Sequence, residues 1–174
     1  DAYDLAAFLV TLPNISKNRI YSIGGSEGGM IGGFLSSPGI KKFTAPDAPR
    51  YRANASLYGC AVFPVGSSGP QNTKDHMYIF NDMDRPLLWL MGEADNECII
   101  KDELQIIKDF QQIKLPIEYH LYKDTTHCWD CKAKNGSRQT MNRFGSQVTV
   151  LYTYDQNVTN DSTNRVLDFF DKHK

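Results

Sequence analysis

The sequence predicts an α/β protein with three layers, in which a mainly parallel sheet lies between helices. Apolar, β-prone runs at residues 19–23, 58–63, 87–91 and 117–122 alternate with segments whose apolar residues recur at helical spacing. This alternation is typical of a parallel sheet. The run at 87–91 is apolar throughout, as expected for a strand that is buried on both faces.

The first elements follow from these patterns in chain order. Residues 1–12 have the apolar spacing of a helix, residues 19–23 form the first strand, and residues 27–35 form a second helix. That helix is predicted to end at Ser36-Ser37-Pro38-Gly39, because these residue types interrupt helices. The polar stretch 41–52 is then predicted to be a surface connection.

The middle of the chain supplies two more strands. Strand 58–63 is followed by a loop rich in Gly, Ser and Pro at residues 64–75. Pro86 precedes strand 87–91, at a position where a missing N–H group is tolerated, and Gly92 ends that strand.

The last third of the chain is predicted to contain two helices and one or two strands. Residues 102–114 carry the apolar stripe of a helix that covers one face of a sheet, and residues 117–122 form a strand. Residues 147–154 are predicted to be an extra strand or an extended segment. The final helix begins at residue 160 or 162 and ends at residue 171.

The hexapeptide Gly24-Gly25-Ser26-Glu27-Gly28-Gly29 joins the first strand to the second helix. It fits the pattern G-x-S-x-G, in which a serine on a sharp strand-to-helix turn has an exposed hydroxyl. Backbone N–H groups at the start of such a helix can stabilise an oxyanion. The alternative is a glycine-rich turn that only links the two elements.

Two further polar residues follow predicted strands at the same end of the sheet. Asp95 lies in the loop after strand 87–91, and His127 lies just past strand 117–122. Ligands of open α/β sheets bind at the carboxyl ends of the strands. The chain order Ser, Asp, His is that of α/β-hydrolases.

On these residues the chain resembles the α/β-hydrolase superfamily, and most closely its dienelactone hydrolase-like branch. The resemblance rests on residues 20–29, 86–95 and 119–127 and extends to the last helix at 165–170, so it runs through most of the chain. It implies that Ser26 is the nucleophile, His127 the general base and acid, and Asp95 the acid that orients the histidine. It also implies that the backbone N–H of Glu27 is an oxyanion donor.

The resemblance implies a serine hydrolase that cleaves carboxylic esters or lactones of a small soluble substrate through an acyl-enzyme. Many members of the dienelactone branch have a cysteine nucleophile, so Ser26 favours a serine esterase over a true dienelactone hydrolase. Two alternatives stay open: a serine peptidase of the prolyl-oligopeptidase type, and a non-catalytic hydrolase-like module used for binding. No metal or organic cofactor is implied.

By the same resemblance, residues 1–174 are expected to form a single domain that lacks the first strands of its family's sheet. The predicted strands would then form one contiguous side of that sheet, and the strand before Ser26 would have an open apolar edge. We expect a missing N-terminal segment or a second chain to complete the sheet. The loop that usually supplies the second oxyanion N–H would lie there too.

Other residues compete for these roles. The alternatives to His127 are His76, which is predicted in a loop, His120 within a strand and His173 near the C-terminus. Glu93 and Glu97 share the acid loop with Asp95. Trp129 is predicted to line a substrate pocket or, equally, to pack in the core.

The composition excludes several classes of protein. The net charge of −1 gives no basic patch for nucleic acid, and no apolar run approaches the ~20 residues that span a bilayer. Five N-x-S/T sequons occur. They indicate either a glycosylated secreted protein or, the interpretation that we favour, chance matches in an Asn-rich sequence.

The four cysteines are Cys60, Cys98, Cys128 and Cys131. We expect either free buried thiols or a disulfide from Cys98 to Cys128 or Cys131, which would connect the acid loop to the histidine loop. A C-x-x-C pair without a second pair is a weak zinc signal. The compartment stays open, with a secreted or periplasmic location slightly favoured over a cytoplasmic one.

Overall fold

A computed structural model describes residues 1–64, 76–78, 81–143 and 146–174 of the chain. Its helices are α1 (Ala2–Leu9), α2 (Glu27–Leu35), α3 (Pro38–Thr44), α4 (Ile100–Gln112) and α5 (Gln156–Lys172). Its strands are β1 (Ser22–Gly25), β2 (Asn54–Leu57), β3 (Val62–Pro64), β4 (His76–Tyr78), β5 (Leu87–Gly92), β6 (Ile117–Tyr122), β7 (Arg138–Arg143) and β8 (Ser146–Leu151). Among these helices, none has both the length and the hydropathy that crossing a bilayer requires.

Four strands form one parallel sheet in the order β1, β2, β5, β6. Ser22 lies opposite Asn54, Asn54 opposite Leu87, and Leu87 opposite Ile117. The carboxyl ends of all four strands therefore lie along one edge of the sheet. The predicted α/β class with a mainly parallel sheet is confirmed, and β3–β4 and β7–β8 are separate antiparallel pairs.

β1 is one of the two edge strands of this sheet within the described ranges. Ile23, on this strand, is 56% exposed. The predicted pairing of this edge with further strands stays a prediction.

The core lies on both faces of the sheet because β5 is buried along its whole length. Successive side chains of a strand point to opposite faces. Leu88 and Leu90 accordingly pack on one side with Phe169 of α5, while Trp89 packs on the other side with Ile107 of α4. α4 and α5 thus cover opposite faces and complete the three layers.

The second strand of the sheet lies earlier than predicted. We predicted residues 58–63, whereas β2 is Asn54–Leu57 and Val62–Pro64 forms β3 outside the sheet. The β-prone residues at 62 and 63 favoured the later position. β2 instead consists mostly of small side chains, because α2 lies close to it: a Cβ on Gly29 would lie 2.5 Å from the Ser56 Oγ.

Two helices differ from the prediction because of their N-caps. α2 ends at Leu35 as predicted, but the Ser37 hydroxyl then accepts the Ile40 N–H at 3.1 Å and begins α3, so the predicted connection at 41–52 is partly helical. α5 begins at Gln156, earlier than residue 160 or 162, because the Asp155 carboxylate caps its first turn.

The remaining predictions concern loops. Of the alternatives at residues 147–154, the strand is found, as β8. His76 begins β4, so its predicted place in a loop is wrong. The predicted loop at 64–75 begins with the last residue of β3, Pro64, and its other residues lie outside the described ones.

Candidate active site

Ser26 sits on a sharp turn between β1 and α2. Its φ of 54° and ψ of −120° are rare for a residue with a side chain, and its N–H donates to the Leu57 carbonyl at 2.9 Å. A Cβ on Gly24 would lie 2.4 Å from the Gly28 carbonyl group. Glycine at position 24 therefore lets strand and helix approach closely enough to form this turn.

Glu27 is the first residue of α2. Backbone N–H groups in the first turn of a helix have no acceptor within that helix. The Glu27 N–H is therefore available for an acceptor beside Ser26. The Glu27 side chain itself is exposed.

Asp95 lies in the loop that follows β5 and is 5% exposed. Its Oδ1 accepts the Glu97 N–H at 2.8 Å, and its Oδ2 lies 2.7 Å from the Nδ1 of His127. The loop is held to the histidine loop by a second contact, in which the Ala94 N–H donates to the Thr125 carbonyl at 2.9 Å. Both carboxylate oxygens of Asp95 are therefore fixed.

His127 lies between Asp95 and Ser26. Its Nε2 is 3.0 Å from the Ser26 Oγ, and the ring is 3% exposed. In the tautomer with its proton on the Nδ1, His127 donates to the Asp95 carboxylate and its Nε2 can accept the Ser26 hydroxyl. The Tyr58 ring packs edge-on against the imidazole, with centroids 4.9 Å apart.

The competing residues lie elsewhere. His120 is in β6 and packs on Tyr122, and burial lowers the pKa of His120 below its usual range. His173 packs on Phe169 at the end of α5. Glu93 is exposed and accepts the backbone N–H of Asp124 at 3.4 Å.

Glu97 was considered only as an alternative to Asp95, yet the structure brings both to His127. The Glu97 Oε2 lies 3.8 Å from the His127 Nε2, on the side that faces Ser26. The Tyr152 hydroxyl donates to the other oxygen of Glu97. Tyr152 follows β8, and the apolar pattern at 147–154 carried no signal for its place beside the site.

Trp129 lies beneath the site and is fully buried. Its indole N–H donates to the Ser162 Oγ at 3.3 Å, and its ring packs against Tyr58 and Tyr122. This burial favours the packing role over the predicted role in a substrate pocket.

The cysteines form two disulfides, Cys60–Cys98 and Cys128–Cys131. The predicted bond from Cys98 to Cys128 or Cys131 is therefore wrong, and so is the alternative of free thiols. The reason is the strand order. Cys60 follows β2, the direct neighbour of β5, and its Cα lies 5.2 Å from that of Cys98 in the acid loop.

Glu103 is a buried carboxyl group below the acid loop. It accepts the Ala61 N–H at 3.0 Å and the Trp89 indole N–H at 3.3 Å. Burial raises the pKa of Glu103 to about 8, against the opposing effect of these two hydrogen bonds. Glu103 therefore keeps its proton to a higher pH than an ordinary glutamate does.

Possible metal ligands cluster at three places in the described part of the chain. Each cluster includes at least one disulfide-bonded cysteine, which has no thiolate to offer a metal. The prediction that the site uses no metal stays a prediction.

Solved structures with the same fold are α/β-hydrolases. A protein described as a dienelactone hydrolase from Klebsiella pneumoniae subsp. pneumoniae is 18% identical with a TM-score of 0.62, and the match covers 97% of this chain and 58% of that protein. An α/β hydrolase from a Medee basin deep-sea metagenome library is 18% identical with a TM-score of 0.61, covering 98% and 63%. Thermogutta terrifontis esterase 2, phosphoramylated by tabun, is 13% identical with a TM-score of 0.64, covering 98% and 61%.

These identities are low, so the structural matches show the fold alone. The chain spans 58% to 63% of the length of these three proteins. A search of curated proteins gave no significant match. The sequence model of the dienelactone hydrolase family matches residues 4–174, and the chain therefore belongs to the dienelactone hydrolase family.

Proposed function

We propose that this chain carries the active site of a serine carboxylic-ester hydrolase. The observation that carries the proposal is the continuous path from the Ser26 Oγ through His127 to Asp95, with contacts of 3.0 and 2.7 Å. Membership of the dienelactone hydrolase family supports a hydrolase. The esterase among the structural matches supports esters as the substrate class.

In the proposed reaction the Ser26 Oγ attacks the ester carbonyl while the His127 Nε2 takes its proton. Asp95 holds the imidazole in the required tautomer and stabilises its positive charge. The Glu27 N–H donates to the oxyanion that forms. His127 then protonates the leaving alcohol, and water hydrolyses the acyl-enzyme in a second step with the same proton transfers.

The proposed substrate is a small ester or lactone. Thermogutta terrifontis esterase 2 has been phosphorylated by paraoxon and phosphonylated by cyclosarin. Such electrophiles react with activated nucleophiles, and we expect Ser26 to react with them in the same way.

Hydrolysis of p-nitrophenyl acetate tests the proposal. We expect Ser26→Ala and His127→Ala to lower kcat/KM by at least about 10³-fold, since loss of either residue disables the nucleophile. The matched control is Ser16→Ala, because Ser16 is exposed and lies before β1. Full activity in Ser26→Ala would contradict the assignment.

A peptide p-nitroanilide separates the esterase from the peptidase alternative. The proposal predicts turnover of the ester and not of the amide. A protein that binds but hydrolyses neither would support the non-catalytic alternative.

A further inference from the structure

We propose that Glu97 is a further catalytic residue, which holds the hydrolytic water beside His127 when the acyl-enzyme is cleaved. The inference rests on the proposed serine esterase function and assigns a second carboxylate to that site. It starts from the position of Glu97 on the Nε2 side of the imidazole, opposite to Asp95 on the Nδ1 side.

The distance between Glu97 and His127 fits a bridging water. The Glu97 Oε2 lies 3.8 Å from the His127 Nε2, which is too long for a direct hydrogen bond. One water at ordinary hydrogen-bond distance from both atoms spans such a gap. The Glu97 side chain is only 7% exposed, so little bulk solvent reaches its carboxylate.

The surroundings fix Glu97 in this orientation. Its backbone N–H donates to Asp95, which ties its position to the carboxylate that orients His127. Its Oε1 accepts the hydroxyl of Tyr152, a residue that is 4% exposed. The neighbouring Asn96 donates its side-chain N–H to the Thr149 carbonyl of β8 at 2.9 Å. The Oε2 is the oxygen directed at the imidazole.

The chemistry of the second step explains why a carboxylate is useful there. Once Ser26 is acylated, its Oγ no longer donates a proton to the His127 Nε2, and a water must take that place. The water donates one hydrogen to the Nε2 and the other to the Glu97 Oε2. Its lone pair is then free to attack the acyl carbon.

In deacylation the water oxygen forms a bond to the acyl carbon, and the hydrogen that the water donated to the His127 Nε2 moves to that nitrogen as a proton. The tetrahedral intermediate then collapses, the bond from the acyl carbon to the Ser26 Oγ breaks, and the Oγ takes the proton from the Nε2. The carboxylic acid leaves, and Glu97 neither gains nor loses a proton in the cycle.

This role makes a selective prediction. Both steps form an imidazolium, so a carboxylate that only stabilised this charge would speed both alike. A carboxylate that orients the water acts on deacylation alone. In Glu97→Gln the amide presents a donor to the water where the carboxylate presents an acceptor, while its oxygen still accepts the Tyr152 hydroxyl.

Rapid-quench mass spectrometry with p-nitrophenyl acetate measures how fast the acetyl-enzyme forms and how fast it decays. For Glu97→Gln we expect formation within about 3-fold of the wild type and decay slower by about 10- to 100-fold, the size of one hydrogen bond to a charged group. Glu93→Gln is the matched control, because Glu93 is an exposed carboxylate of the same loop. It should leave both rates unchanged.

An equal fall in both rates, or an unchanged decay, would overturn the role in deacylation. Absence of an acetyl group on wild-type Ser26 would instead refute the proposed function itself. Thermal unfolding checks that Glu97→Gln is folded. If it is not, Tyr152→Phe takes its place, for which we expect a smaller slowing that is again confined to decay, and equal effects on both steps would overturn the proposal.

Discussion

Gly92 provides a direct test of how the fold positions the acid and the histidine. A Cβ at this position would lie 2.3 Å from the carbonyl oxygen of Thr125 and 2.9 Å from its carbonyl carbon. Both are backbone atoms that cannot rotate away. Ordinary contacts begin at 3.4 Å, so Gly92→Ala must separate the ends of β5 and β6 by about 1 Å.

That separation acts on the bond between Asp95 and His127. The contact point is the same Thr125 carbonyl that accepts the Ala94 N–H at 2.9 Å, one residue before Asp95. A shift of about 1 Å in a catalytic group costs roughly 10²-fold in rate. Overpacking of this kind also destabilises a protein by about 1–3 kcal/mol.

The assay is kcat/KM for p-nitrophenyl acetate, with urea unfolding of the same samples. Gly32→Ala is the matched control, because a Cβ there would lie 3.8 Å from its nearest neighbours and the residue is inside α2. We expect this control to keep its activity and to gain about 0.4–1 kcal/mol in stability. Activity of Gly92→Ala within about 3-fold of the wild type, with unchanged stability, would show that close contact at Gly92 does not position Asp95 and His127.

Three further predictions concern groups around the site. Asp95→Asn should lower kcat by about 10⁴-fold in the ester assay, because an amide that donates to the Nδ1 of His127 stabilises the wrong tautomer. Glu103 has a folded pKa of about 8 against an ordinary value of 4.5, so it stabilises the fold below pH 4.5 and this stabilisation is lost as the pH rises through 8. Urea unfolding should therefore show a loss of up to about 5 kcal/mol over that range, and Glu103→Gln should remove it. Replacing Cys60 and Cys98 together by serine should lower the free energy of unfolding by about 4 kcal/mol, since their disulfide closes a loop with a sequence separation of 38.

Each of these has a clear contrary result. A fall in kcat of less than about 10-fold for Asp95→Asn would show that the carboxylate does not set the tautomer. A wild-type stability that rises from pH 5 to pH 8 while Glu103→Gln behaves identically would contradict a proton on this group. Non-reducing peptide mapping that pairs Cys98 with a residue other than Cys60 would contradict the loop closure.

The sequence predicted the elements in which residue type alone indicates burial or a turn. β5 was predicted almost to the residue because an unbroken apolar run is buried on both faces, and α2 because the glycine-rich turn at Ser26 defines its start. The sequence did not predict β2, where close packing against α2 selects small residues over the usual β-formers.

At the site, Ser26, Asp95 and His127 were named from their places after predicted strands together with the resemblance to α/β-hydrolases, which selected Asp95 within its loop. The structure brings the three within hydrogen-bond distance. The relation of Glu97 to Tyr152 could not be predicted, because it depends on how β7–β8 packs on the acid loop. The prediction of the disulfide pairing was wrong for the same reason. Pairing depends on which loops are neighbours, and spacing along the chain does not show this.

Covalent labelling by a fluorophosphonate, followed by peptide mass spectrometry, shows directly whether Ser26 is an activated nucleophile. We expect a single adduct on Ser26, no labelling of Ser26→Ala, and slower labelling of Asp95→Asn, since the serine is activated only through the aligned histidine. Equal labelling of the wild type and Ser26→Ala, or an adduct on another residue, would contradict this expectation.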